Sequence, residues 1–152
     1  MLHAIVLLLH LACFAAYLGA GFAQLQMMKR STGATGELQK VYEDLAASIL
    51  VKLELPAIFG SVLTGAFFVA QTPEFMKQGW LHGKLLCVLV LLVLSHLEMF
   101  NAKKIGRLRR EGGATAENEI TARKSRHQIF GTIGTVAVVV LLVCVTVVRL
   151  AG

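Results

Sequence analysis

The chain has 152 residues, 56% of them hydrophobic, with a mean hydropathy of +0.69 and a net charge of +6. Soluble domains average about 45–50% apolar; here the excess is gathered into four blocks, which excludes an ordinary soluble domain and leaves one polytopic membrane domain. The positive charge is not a nucleic-acid signature, because most of it lies in two loops, as membrane topology requires, and no basic patch is interleaved with aromatics.

The first apolar block, residues 2–24, reads as a retained span. Gly21-Phe22-Ala23 resembles a signal cleavage site, but no basic region precedes the apolar run. His3, His10, Tyr17 and Gln24 recur every seven residues. Seven residues is close to two helical turns, so they form one slowly drifting stripe. Polar side chains inside a membrane face the bundle or a cavity, so the stripe marks the inward face. Residues 29–48 form a basic loop. Within it Leu38, Val41, Tyr42, Leu45 and Ile49 alternate with charges at amphipathic spacing. That segment either lies along the interface or extends the second span.

The second span covers about residues 49–71. Ala57, Ser61 and Gly65, with Gly60 and Thr64 beside them, predict a face for close helix packing. Pro56 can kink it, and Lys52 and Glu54 before it read as snorkelling at the membrane edge. A short turn-rich stretch, 71–80, suits a hairpin. The third span, 81–100, has Trp80 at its entrance and Lys103, Lys104, Arg107, Arg109 and Arg110 behind it, as an interfacial aromatic and a cytoplasmic stop require. His82 and His96 stand 14 residues apart, about 40° apart around a helix. Glu98 lies near Lys52 in depth, which suggests an ion pair. A second basic loop, 101–126, breaks at Glu111-Gly112-Gly113-Ala114. The fourth span, 128–148, opens on Gly131, Thr132, Gly134 and Thr135, a second close-packing patch.

Twelve of the fifteen Lys and Arg residues fall in or beside the two basic loops. The positive-inside rule then makes those loops cytoplasmic and puts both termini on the non-cytoplasmic side of an all-α membrane four-helix bundle. Cys13, Cys87 and Cys144 all sit in apolar runs without a CxxC pair, so dithiol chemistry is not expected. Neither a metal-ligand motif nor a phosphate loop or nucleophile elbow occurs.

The histidines are the candidate site. Spans one and three run in the same direction, so His3 and His82 lie at similar depth near the outer surface. His10 lies about 10 Å deeper than His3. His3 with His82 would suit a bis-histidine haem, and His10 a single proximal ligand; a slide of about 7 Å would bring His82 toward the level of His10. An amphipathic ring is also tolerated at an interface, which covers His3, His82, His96 and His127.

The chain resembles the HemJ-type protoporphyrinogen oxidases, small four-span membrane proteins of haem synthesis. The matching features are His10 with an aromatic seven residues on at Tyr17, Pro56-Ala57 with Gly65 downstream, and Trp80-Leu81-His82-x-Lys84-Leu85. They continue with His96 and Gly106-Arg107-Leu108-Arg109. The chain departs from the family in having Ile129-Phe130-Gly131-Thr132 in place of an Asn-Glu-x-Pro motif, one late histidine in place of two, and Tyr17 in place of Trp. The resemblance implies haem b held by His10, with His82 and Tyr17 beside it and Lys84 as the catalytic residue, its charge steering substrate propionates. The implied reaction removes six hydrogens from protoporphyrinogen IX and passes electrons to a membrane acceptor such as quinone. Two other readings stand beside it: an accessory subunit of a larger membrane complex or a homo-oligomer, docking through its small-residue faces, and a copper-handling or transport protein using His3, His10, Met27 and Met28.

Overall fold

In lipid every backbone polar group must be satisfied within its own segment, so apolar runs of this length become helices. The computed structural model describes residues 1–143 and 145–146, and among these every regular element is helical. Cys144, Arg149 and the last residues of the expected fourth span lie outside the described residues. Four helices are long and apolar enough to cross a membrane, which makes the chain compatible with a multi-pass protein in a bilayer.

Helix α1 runs Leu2–Thr32, longer than the apolar block alone. Lys29 and Arg30 occupy its last turn, where cations complement the helix dipole. Helix α2 (Gly36–Ile49) passes through a π-helical stretch, Leu50–Glu54, into α3 (Leu55–Gln71). The amphipathic segment is therefore the extension of the second span and not a separate interfacial helix. The π stretch ends two residues before Pro56. A proline lacks the N–H that would bond one turn back and clashes with the carbonyl there, and a wider turn relieves both.

A 3₁₀ turn, Pro73–Lys77, leads to α4 (Gly79–Glu111) and then α5 (Ala114–Val143). The expected loop 101–126 is in fact mostly helical. Helix α4 has 33 residues, about 50 Å, against a hydrocarbon core of about 30 Å. Its end and the start of α5 form a hairpin whose own small core is Ile105, Leu108 and Ile120. The turn between them needs Gly112 and Gly113, at φ +71° and +98°, where side chains are strained.

The bundle is two helical hairpins, α1 against α2–α3 and α4 against α5. Its main core is Ile58, Cys87, Leu91 and Leu141, flanked by Phe14 and Tyr17. Lipid tails are as apolar as leucine, so close fit and hydrogen bonds hold such helices together. The small residues supply the fit. A Cβ at Gly60 would lie 2.7 Å from Cys13 Sγ, one at Gly65 3.5 Å from His10 Cε1, and one at Gly131 2.7 Å from Leu25 Cδ2.

Candidate functional site

The seven-residue stripe on α1 faces α2–α3 and continues one step further than expected, to Ser31. His10 and Tyr17 are half-buried, and Gln24 and Ser31 are buried. His3, at the open end, is exposed, with its ring 6.0 Å from Phe67 and 6.2 Å from Phe68.

The His10 tautomer follows from its neighbour. Thr64 Oγ1 lies 2.7 Å from the Gly60 carbonyl and 3.0 Å from the Ser61 carbonyl. A hydroxyl has one proton and carbonyls only accept, so Thr64 donates to its own helix. Its contact with His10 Nδ1, at 2.8 Å, is then a bond donated by the ring. The proton sits on Nδ1, and Nε2 keeps its lone pair. Phe68 packs edge-on to the ring at 6.3 Å, and the missing side chain of Gly65 leaves the ring its place. Anchoring one ring nitrogen by a hydrogen bond is the second-sphere arrangement that orients imidazole ligands.

Lys84, half-buried in the second turn of α4, is close enough to act electrostatically on His10. His82 is not brought to the same place. Two residues are about 200° around a helix, and the buried positions of α4 are Leu81, Cys87, Leu91, Ser95 and Glu98. His82 is exposed on the outer side. His96 donates Nδ1–H to the Leu92 carbonyl at 2.8 Å and packs edge-on against Phe59. Met27 and Met28 are at the other end of α1 from His3. Among the described residues no group of three or more His, Cys, Asp or Glu side chains is placed to hold a metal ion.

Tyr17 leads to a cluster that the sequence reading did not assemble. Its ring packs on the main core, and its hydroxyl lies beside Ser95. Ser95 Oγ donates to Glu54 Oε1 at 2.8 Å, and Gln24 Nε2 donates to Glu54 Oε2 at 3.0 Å. Glu98 completes the group within electrostatic reach of Glu54. Glu54 is 3% exposed and Glu98 7%, so neither snorkels, and no salt bridge joins Glu98 to Lys52, which is exposed. Tyr17, Glu54, Ser95 and Glu98 line a cavity of about 220 Å³ closed on its far side by Phe130 and Gly134 of α5. Glu54 is the last residue of the π stretch, in keeping with the frequent siting of π-bulges at functional positions.

A second buried carboxylate ties the helices together at the basic end. Glu43 accepts two hydrogen bonds from Arg109, each 3.0 Å, and one from Ser31 at 3.2 Å, and is ion-paired with Lys124. One side chain of α2 thereby holds α1, α4 and α5. Burial works against its ionisation, but the bonds from Arg109 and Lys124 outweigh this and hold its carboxyl below the ordinary range. Nearby, Asn101 and Arg123 join α4 to α5 through bonds of 2.9 and 3.3 Å. His127 is 3% exposed, and neither ring nitrogen has a hydrogen-bond partner.

The sequence carried a signal for these residues. The inward face of α2–α3 reads Glu43, Ala46, Leu50, Glu54, Ala57 and Thr64, at helical spacing straight through Pro56. No protein-family model matches the chain, and neither a curated protein nor a solved structure shows significant similarity to it.

Proposed function

We propose that this chain is a membrane redox protein that holds haem b on His10, with the basic end of the bundle in the cytoplasm and both termini on the other side. The observation that carries this is the His10–Thr64 hydrogen bond, which leaves the Nε2 lone pair free for an iron. The residues fit a haem held by one histidine: His10 would hold its iron, with Lys84 nearby for a propionate. Bound there, the haem would supply one-electron exchange with a tetrapyrrole such as protoporphyrinogen IX and with a membrane quinone.

The chain's own residues do the rest. Thr64 fixes the ring's tautomer and angle. Lys84 offers a positive charge to a propionate of the haem or of a porphyrinogen substrate. Oxidising a porphyrinogen releases protons along with electrons. Tyr17, Ser95 and Glu54 are linked by hydrogen bonds, with Glu98 within electrostatic reach, starting two turns along α1 from His10, and a proton can be held there. His82 faces away from this arrangement, so His10 serves as the single protein ligand.

The test is a visible spectrum of the purified chain with and without dithionite. A Soret band that shifts on reduction, is lost in His10→Ala and moves in Thr64→Val bears the reading out. A colourless protein refutes it. That outcome would favour a second reading, a non-catalytic subunit of a larger complex. One observation speaks for it: the most apolar window of α1 is 6% buried, against 28% for those of α2–α3 and α4. Stable partners co-purifying with the chain would support that reading.

A further inference from the structure

The basic end holds a second, larger, open cavity of about 960 Å³, lined by α2, α4, Met28 of α1 and His127 midway along α5. Toward the apolar part of the bundle its wall is made by Ala46, Leu50, Val51 and Met99. Toward the hairpin it is charged. Five cations line it, Lys40, Lys103, Arg107, Arg109 and Arg110, against three carboxylates, Glu37, Glu43 and Asp44. Glu43 is taken up by Arg109 and Lys124, and Arg107 pairs along its own helix with Glu111. Lys40, Lys103 and Arg110 form no ion pair among the described residues.

His127 also lines this cavity. It is 3% exposed, and both ring nitrogens lack a hydrogen-bond partner. A buried polar group left without a partner costs free energy, and most such groups in folded proteins are paired. Those nitrogens are closed off from the water-sized space of the cavity, so charge and the apolar wall select the ligand: a surplus of cations for an anion, and apolar side chains running toward Val51 and Phe100, both exposed.

We propose that this cavity binds a phosphate group, with Lys40, Lys103 and Arg110 supplying charge. The apolar wall favours an anionic phospholipid as its source, the headgroup inside and the acyl chains leaving past Val51 and Phe100. Basic pockets between membrane helices take such headgroups. The site is separate from His10, and its occupancy does not depend on haem.

Native mass spectrometry of the full chain in mild detergent, titrated with phosphatidylglycerol or with zwitterionic phosphatidylcholine, tests this. A parallel calorimetric titration uses inorganic phosphate. The expected result is about a tenfold preference for phosphatidylglycerol, lost in the Lys103→Gln/Arg110→Gln double variant. Phosphate binding alone, sensitive to the same substitutions, would support the site and name a free phosphate as its ligand. Equal binding of the two lipids with no phosphate binding overturns the proposal. So does undiminished phosphatidylglycerol binding by the double variant, whose changes lie at the cavity's exposed, charged rim and leave the folded core intact.

Discussion

Gly60→Ala adds one methyl group where α3 packs tightly on Cys13 of α1. Its Cβ would stand 2.7 Å from Cys13 Sγ, about 1 Å inside the optimal separation of roughly 3.5–4.0 Å. Cys13 has one rotatable bond, and helical backbone restricts its rotamers, so much of the deficit must be met by parting the helices. The His10–Thr64 bond, one turn away at 2.8 Å, would stretch to about 3.8 Å and cease to be a hydrogen bond. Overpacking costs about 1–3 kcal/mol, set against a gain of up to about 1 kcal/mol in helix propensity. We expect a net loss of about 1–2 kcal/mol, measured by unfolding in mixed detergent micelles. Gly19→Ala is the control, since nothing lies within 4 Å of a Cβ there, and it should be neutral or stabilising. Cys13→Ala/Gly60→Ala removes the sulfur and should recover about 1 kcal/mol or more as coupling between the sites. If Gly60→Ala unfolds with Gly19→Ala, or Cys13→Ala fails to rescue it, close packing is not what joins α1 to α3.

Glu43→Gln should cost about 3 kcal/mol in the same assay, the low end for breaking a buried ion pair, because Arg109 keeps Glu117 as a partner. The Glu43 carboxyl is held below its ordinary value of 4.5. Its contribution is therefore fully present above that value and disappears as pH falls through the lower folded value; the acid limb of the stability profile should flatten in Glu43→Gln. Gly112→Ala, at φ +71° and ψ −179°, should cost about 1–3 kcal/mol of backbone strain and loosen the hairpin, seen as faster amide exchange near Ile105 and Ile120. Glu54→Leu should lose about 1–2 kcal/mol, since interhelical hydrogen bonds in membranes average about 0.6 kcal/mol each and it makes two. Glu54→Gln, which can still pair with Gln24 and Ser95, should stay near wild type, and a Leu variant as stable as Gln would refute the bonding assigned to Glu54.

The four crossings were legible because membrane helices announce themselves by length and hydropathy. The stripe on α1 was legible because polar groups in an apolar run have nowhere to point but inward. The ends of the helices were not. Residues 101–111 and 114–126 read as loop because their charges mask a hairpin whose apolar core is as small as Ile105, Leu108 and Ile120. Starting the second span at Ile49 left Glu43 on a segment that was either interfacial or an extension of the span, and put Glu54 at a membrane edge, although one helical face carries both. His82 stood out by residue type, but its outward direction depends on which face of α4 packs, and that is set by tertiary contact.

The pairing of α1 with α2–α3 explains why these particular polar residues belong together. Ser31 bonds Glu43 at one end, and His10 bonds Thr64 at the other. The two rungs are 21 residues apart on α1 and 21 apart on α2–α3, about 31 Å on either helix. That is close to the thickness of a bilayer's hydrocarbon core. Glu54 with Gln24 lies between them. Aliphatic faces in lipid slide past one another at little cost, because no hydrophobic force distinguishes one register from the next. A shift of one turn, about 5.4 Å, would break all three rungs together. The polar seam therefore fixes the register, and with it the height at which His10 Nε2 is presented.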